Sequence, residues 1–164
     1  MKSALPMIAA LLVVAMPCEA SDLQQKVEIP QFSAYPAAAI YRGAAATVQL
    51  KGEAKTFRTR LKQAAKQPVN FAGEYVLTSW GCGASCIDGA VVSLKSGQVS
   101  FLPETIHAGL DGSEALRFCS NSRLLIMTGA LREGGEHADH YYEFSGEEFM
   151  HLKTVPIGGR SDEQ

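Results

Sequence analysis

Two cysteines, two glycines and the chain's only tryptophan lie together in the segment WGCGASCID, residues 80–88. Apolar, β-like runs flank this segment on both sides, so the pattern predicts a β-hairpin with a tight return. Such a return brings the Cα atoms of Cys82 and Cys86 within the roughly 4.4–6.8 Å that a disulfide requires. We therefore expect these cysteines to pair and to shape a protruding loop, with a stabilisation of about 2 kcal/mol.

The same cysteines could do other chemistry. Redox-active dithiols of the thioredoxin type have two intervening residues in a βα setting, whereas three residues separate Cys82 from Cys86. A zinc site built from these two residues with Cys119 and His107 lacks a recognised ligand spacing. Cys119 is expected to be a half-buried thiol, and its pairing with either loop cysteine would contradict the predicted hairpin disulfide.

Two further groups of residues invite a catalytic or metal-binding interpretation. The segment from Glu133 to Tyr141 holds two histidines and three carboxylates. His137 and His140 would point to opposite faces of an extended chain, so a solvated acidic loop is favoured over a weak divalent-metal site. A glycosidase needs two positioned carboxylates, and the sequence does not say which of four side chains approach one another: Glu74, Asp88, Glu104 and Asp111.

The first 20 residues have the pattern of a secretory signal peptide. Lys2 is followed by an apolar stretch from Ala4 to Ala15 and a small-residue end near Ala20. The apolar stretch is shorter than the about 20 residues of a permanent anchor, and Pro17 disfavours a lipoprotein signal with Cys18 as acceptor. We expect cleavage near Ala20 and a secreted or periplasmic protein without stable membrane insertion.

The remaining chain has the size of one ordinary domain, and its charges nearly balance, with a net charge of −2 for the full sequence. This balance argues against a dedicated nucleic-acid-binding protein. Residues 21–52 contain two prolines and an alanine-rich stretch without a sustained period, which predicts an irregular N-terminal arm. Residues 53–164 are predicted to form a single β-rich domain with a packed helix.

That helix is expected near residues 53–66, where apolar residues recur at helical spacing: Ala54, Phe57, Leu61 and Ala64 or Ala65. The opposite face is basic: Lys55, Arg58, Arg60, Lys62 and Lys66. A solvated outer face is the simpler interpretation, and an anion- or partner-binding face is the alternative.

After Pro68 the pattern becomes that of β-strands joined mostly by short turns, including hairpins around Lys95–Gly97 and Ser145–Glu147. We predict an α+β fold that is mainly antiparallel β. Its expected form is a six- to seven-stranded meander, either a rolled sheet or a small sandwich, with the one amphipathic helix packed on a face or edge.

Three segments form fairly specific patterns: Asn70-Phe71-Ala72-Gly73-x-Tyr75, Trp80-Gly81-Cys82-Gly83-x-x-Cys86 and Asn121-Ser122-Arg123-Leu124-Leu125. Together they resemble a family of small secreted bacterial proteins known mainly as uncharacterised. The resemblance runs from about Tyr41 to the final hairpin and implies export and a shared fold, without an activity. This chain departs from the family at Glu74, where members often have His, and at Cys119.

A looser similarity, of architecture only, is to the periplasmic inhibitors of lysozyme, some of which present a cysteine-bridged loop to the enzyme's cleft. The leading hypothesis is a non-enzymatic secreted or periplasmic binding domain, such as an inhibitor or envelope-associated factor, with an envelope or extracellular protein as its partner. Aromatic anchors on rigid supports are good binding elements. The predicted contact residues accordingly lie in the hairpin: Trp80, Gly81, Gly83, Ser85 and Asp88.

Two hypotheses from other classes stay open. One is an enzyme, either a thiol–disulfide protein using Cys82 and Cys86 or a hydrolase using the carboxylates above. The other is an envelope structural protein. No catalytic residue, metal ligand or cofactor is assigned from the sequence, and no oligomeric state is indicated.

Overall fold

The computed structural model describes residues 28–108 and 114–157. The predicted signal peptide, residues 21–27 of the predicted arm and the candidate carboxylate Asp111 lie outside these ranges. In the part of the chain that is described, no helix is both long and apolar enough to cross a bilayer.

The described chain folds into one α-helix, two short 3-10 helices and eight strands. The α-helix, α1, covers Arg58–Ala64, and the 3-10 helices cover Phe32–Ala34 and Gly52–Lys55. The strands are β1 (Tyr75–Gly83), β2 (Cys86–Ser93), β3 (Val99–Phe101), β4 (Ile106–His107), β5 (Leu116–Phe118), β6 (Leu124–Gly129), β7 (Ala138–Phe144) and β8 (Phe149–Pro156). The predicted α+β fold is confirmed. The strand count exceeds the expected six or seven, and the two-residue β4 is too short to produce a periodic pattern.

The first sheet is built around β2, which pairs with β1, β3 and β4. β1 runs antiparallel to β2 from Tyr75 opposite Ser93 to Gly83 opposite Cys86. β3 and β4 pair with different ends of β2. The predicted turn at Lys95–Gly97 joins β2 to β3, and Gly97 adopts a φ of +76°, which glycine accepts without strain.

The second sheet is an antiparallel meander in the order β5, β6, β7, β8. All six residues of β6 are buried, as expected for a strand covered on both faces of its sheet. β8 is an edge strand, and a register shift opposite Tyr141 and Tyr142 marks a bulge that twists it.

The two sheets pack face to face, so the sandwich is the form the fold takes. Alternate residues of the strands meet between the sheets in the main core, which includes Leu77 and Val91 from the first sheet and Leu125, Met127 and Phe144 from the second. The neighbouring residues on the same strands therefore face outward, and each outer face needs a cover of its own.

The helical segment covers the outer face of the first sheet, where Leu61 and Ala64 contact the cluster of Val76, Ala90 and Val92. The N-terminal arm covers the outer face of the second sheet with Phe32 and Tyr35, over a cluster of Leu124, Ile126 and Tyr141. The layers therefore follow the order helix, sheet, sheet, arm.

The helix is shorter than the predicted residues 53–66. A 3-10 turn ends at Lys55, and α1 begins only after Phe57, whose φ of −99° and ψ of 16° leave the helical region. The Phe57 ring stacks on Trp80 with the centroids 4.4 Å apart. The backbone thus changes helix type at the residue that packs into the core, which a periodic pattern does not predict.

The arm is fastened to the sandwich by backbone and hydroxyl hydrogen bonds. The buried Ser122 hydroxyl lies 2.9 Å from the Phe32 carbonyl oxygen and 3.0 Å from that of Tyr35. Further along the arm, the Tyr41 N–H donates to the Gly73 carbonyl oxygen at 2.7 Å. The arm therefore crosses from the second sheet to the first along the junction between them.

Candidate functional site

The β1–β2 hairpin ends in a small disulfide-closed loop, here called the hairpin tip (residues 81–86). Cys82 and Cys86 are bonded, with their Cα atoms 5.1 Å apart, as the sequence predicted. The strand register shifts between Gly81 and Gly83, and Ser85 adopts a positive φ of 56°. The disulfide and the bulge together hold the hairpin tip in a conformation that the chain would not keep without the disulfide.

The tip is the exposed part of the predicted contact region. All five residues from Gly81 to Ser85 are exposed, whereas Cys86 and Asp88 are half-buried. The Asp88 carboxylate accepts a hydrogen bond from the Gly89 N–H at 2.7 Å. Of the predicted contact residues, the structure therefore places Gly81, Gly83 and Ser85 at the surface. The exposed Ala84 at the apex was not among them, although its place between two turn residues could have indicated it.

Trp80 lies at the base of the hairpin and not on its surface. Its side chain is 6% exposed and is covered by Phe57 and Phe101. The guanidinium carbon of Arg60 lies 6.0 Å from the indole centroid, at the outer limit of a cation–π contact. The indole thus anchors the hairpin to the helical layer and does not offer a contact surface.

The other side of the tip is held by β4, which the sequence did not indicate. His107 pairs with Cys86, and the Ala108 N–H donates to the Ser85 carbonyl oxygen at 3.0 Å. His107 also exchanges two backbone hydrogen bonds with Ala130, at 2.7 and 3.0 Å, and so links the two sheets directly beneath the tip. The hairpin tip is therefore a short exposed loop on a doubly anchored base.

The backbones of β4 and β6 are so close at this link that residue 129 must be glycine. A Cβ on Gly129, which has a φ of +146°, would lie 2.5 Å from the His107 carbonyl oxygen. The side chain of His107 has a buried Nδ1 without a hydrogen-bond partner in the described structure. Since His107 is the register partner of Cys86, the side chains of these two residues lie on the same face of the sheet.

The metal-binding interpretations find no geometric support in the described residues. Cys82 and Cys86 are oxidised, and thiolates are the form that binds zinc. Cys119 is half-buried and forms no disulfide within the described part of the chain. Within residues 28–108 and 114–157, no group of three or more His, Cys, Asp or Glu side chains is placed to hold a metal ion.

His140 illustrates why the histidine-rich loop is not a ligand cluster. It is 4% exposed, with Nε2 lying 3.1 Å from the Gly129 carbonyl oxygen and Nδ1 3.0 Å from the Thr154 hydroxyl. The same hydroxyl lies 2.9 Å from Nε2 of His151. His137, by contrast, is exposed. Both ring nitrogens of His140 thus have hydrogen-bond partners within the protein. The residue lies at the inner wall of a hollow of about 460 Å³ between the β6–β7 loop and β8.

Glu74 and Asp88 do not form a catalytic pair of carboxylates. Glu74 precedes β1, whereas Asp88 lies opposite Trp80 near the other end of that strand. Six residues of extended strand span about 20 Å, and paired glycosidase carboxylates lie within about 9.5 Å of each other. Glu74 instead accepts a hydrogen bond from the Ser93 hydroxyl at 2.8 Å.

The Asn-Phe-Ala-Gly and Asn-Ser-Arg segments meet at the junction between the sheets. The Asn70 amide pairs with the backbone of Leu77 through bonds of 2.7 and 3.0 Å. The Gly73 N–H donates to the Ser120 carbonyl oxygen at 2.7 Å, and a Cβ on Gly73 would lie 2.8 Å from the carbonyl oxygen of Ala38. These residues hold the arm and the two sheets together, which is a structural role.

In comparisons with known proteins, the chain matches no protein-family model, no curated protein and no solved structure.

Proposed function

We propose that this protein is a secreted or periplasmic binding domain without enzymatic activity, which contacts a protein partner through its hairpin tip. An inhibitor or an envelope-associated factor is the corresponding biological role. The observation that carries the proposal is the run of exposed residues Gly81–Ser85 on a disulfide-closed, doubly anchored hairpin. A rigid exposed loop loses little conformational entropy on binding, which favours affinity.

The buried base of the hairpin strengthens this interpretation. Trp80 fixes the hairpin against the helical layer, and β4 fixes it against the second sheet. Loops on rigid scaffolds are a common means of presenting a binding surface. The disulfide also supports export, because such bonds persist in oxidising compartments.

The proposal is tested with tip variants that leave this base intact. Ala84→Arg adds a bulky charged side chain at the apex, and the matched control Gln98→Arg adds the same side chain before β3 on an exposed residue. Proteins crosslinked to each variant in envelope and extracellular fractions are quantified, and each candidate partner is then purified and titrated. We expect at least a tenfold loss of affinity for Ala84→Arg alone, because a clash at the centre of an interface is costly. Equal binding by both variants would remove the tip from the interface.

A thiol–disulfide enzyme is the second candidate, and the register pairing of His107 with Cys86, whose disulfide partner Cys82 is exposed, favours it. A histidine next to a cysteine is one of the settings in which thiols of exchange enzymes become reactive. Redox titration distinguishes the two functions. A reduction potential below about −300 mV is typical of a structural bond and supports the binding domain, whereas one near those of exchange catalysts, about −270 to −120 mV, supports the enzyme. An envelope structural protein would be indicated if neither tip variants nor reductant changed anything except stability.

A further inference from the structure

The cations of this protein are distributed very unevenly. Residues 51–66 contain six of the chain's 15 lysines and arginines but only one of its 17 acidic residues, which leaves a net charge of +5 there and −7 elsewhere. All six are exposed and form what we call the basic face: Lys51, Lys55, Arg58, Arg60, Lys62 and Lys66. The molecule thus has one strongly positive side, formed by the helical layer.

The basic face is not neutralised within the described structure. The ion pairs present in residues 28–108 and 114–157 join Lys95 to Glu74, Arg117 to Asp139 and Arg123 to Glu143. None of these involves a cation of the basic face. A net charge of +5 on so short a segment is unfavourable because the cations repel one another, and an anionic partner would relieve that repulsion.

An apolar groove of about 590 Å³ adjoins the basic face, between the arm and the end of α1. Its walls include Ile40, Ala45 and Val69, and the cations Arg42 and Lys66 also line it. Ile40 is 36% exposed, the least of the five large apolar residues that are exposed in the described chain and the one that lines this groove. The groove therefore places apolar surface next to positive charge, which suits an amphiphile with an anionic head.

We propose that the basic face and this groove dock the protein on an anionic phospholipid bilayer. The cations contact lipid phosphates, and Ile40 reaches the acyl-chain boundary. The apolar side of α1 is committed to the protein's own core, so attachment is peripheral and mainly electrostatic. The site is separate from the hairpin tip, and either proposal can fail without the other.

A bilayer fits these features better than a nucleic acid does. Single-stranded nucleic acids bind to cationic grooves in which exposed aromatic rings stack on the bases. Of the rings close to the basic face, Phe57 and Trp80 stack on each other, and Trp80 is 6% exposed. Tyr41, which lines the groove, is half-buried and donates its hydroxyl to the Ala44 carbonyl oxygen at 3.0 Å. A phosphate polymer would use the cations but would leave the apolar groove without a partner.

The test is co-sedimentation of the purified protein with vesicles of phosphatidylcholine alone or of phosphatidylcholine with phosphatidylglycerol. The variant Arg58→Gln/Lys62→Gln/Lys66→Gln removes three cations of the basic face. Arg60 is kept because it also contacts Trp80. The matched control removes three cations elsewhere: Lys95→Gln/Arg132→Gln/Lys153→Gln. Urea unfolding of both variants checks that the fold is retained.

We expect the protein to bind the vesicles that contain phosphatidylglycerol and not the vesicles of phosphatidylcholine alone. Each cation near an anionic surface contributes about a fivefold factor, so the basic-face variant should bind about a hundredfold more weakly, and the control should lose much less. Raising the salt from about 0.05 M to about 0.5 M shortens the Debye length from about 14 Å to about 4 Å and should abolish binding. Ile40→Ser should weaken vesicle binding severalfold and leave binding to soluble polyphosphate unchanged.

Absence of vesicle binding, equal losses in the two triple variants, or salt-independent binding would each overturn the proposal. Tight binding to soluble polyphosphate or DNA without binding to anionic vesicles would overturn it as well, because the partner would then be a polymer.

Discussion

Removal of the tip disulfide is expected to lower the free energy of unfolding by about 2 kcal/mol. The bonded cysteines are four residues apart, so the bond closes a ring of about five residues. For a ring of that size the chain-entropy model gives about 7 cal/mol/K, which is about 2 kcal/mol at 25 °C. Since Gly81–Ser85 are exposed, opening the ring should remove little packing energy in addition.

The measurement is urea unfolding of Cys82→Ser/Cys86→Ser, followed by the fluorescence of the single tryptophan. Cys119→Ser is the matched control and the background for the double variant, because Cys119 is half-buried and is bonded to no cysteine of the described residues. A loss above about 4 kcal/mol would show that the tip contributes to the core. An unchanged free energy of unfolding would show that the disulfide does not restrict the unfolded chain. Either result would contradict an entropic stabilisation of about 2 kcal/mol.

Three other substitutions test the packing around the site. Trp80→Ala should cost about 3–5 kcal/mol in denaturant unfolding, and the wild-type emission should be blue-shifted, since the indole is 6% exposed; a water-like emission maximum would contradict its burial. Gly73→Ala should lower the free energy of unfolding by at least about 1 kcal/mol more than Gly134→Ala does. Both glycines have a positive φ, but only a Cβ at residue 73 would lie 2.8 Å from a backbone oxygen. Thermal unfolding compares the two variants, and equal losses of stability would exclude the close approach. Burial raises the pKa of Tyr142, so its neutral form is favoured in the folded state. The stability that the neutral Tyr142 contributes is complete below the ordinary pKa of about 10 and is lost as the pH rises through the higher folded pKa. Tyr142→Phe should therefore make the fall in the free energy of unfolding at alkaline pH less steep. An identical slope in both proteins would count against this coupling.

Several features of the fold were predictable because they depend on residues close in the chain. The strands β6–β8 follow from runs of apolar and aromatic residues bounded by turn residues such as Ser145 and Gly146, and the hairpin turn ending at Gly97 follows from local turn chemistry. The Cys82–Cys86 disulfide was predictable for the same reason, since the glycines beside it allow a tight return.

The surroundings of the site were not predictable in the same way. Trp80 was expected in a protruding loop, and its burial depends on Phe57 and Arg60 lying over that face of the sheet. Nothing local to residue 80 determines where the helix packs. β4 acquires its role only because both of its residues pair with β2 and one of them, His107, also pairs with Ala130.

The mainly antiparallel class, the basic outer surface of the helix and the closure of the hairpin by Cys82 and Cys86 can all be read from local sequence. These properties are set by side-chain periodicity and by contacts across a few residues. Three other properties appear only in the folded chain: the hairpin base is a core element, Gly81–Ser85 form a continuous exposed tip, and an apolar groove adjoins the basic face. Each of these depends on contacts between residues far apart in the chain, whose pairing follows from how the layers bury one another and not from any local pattern.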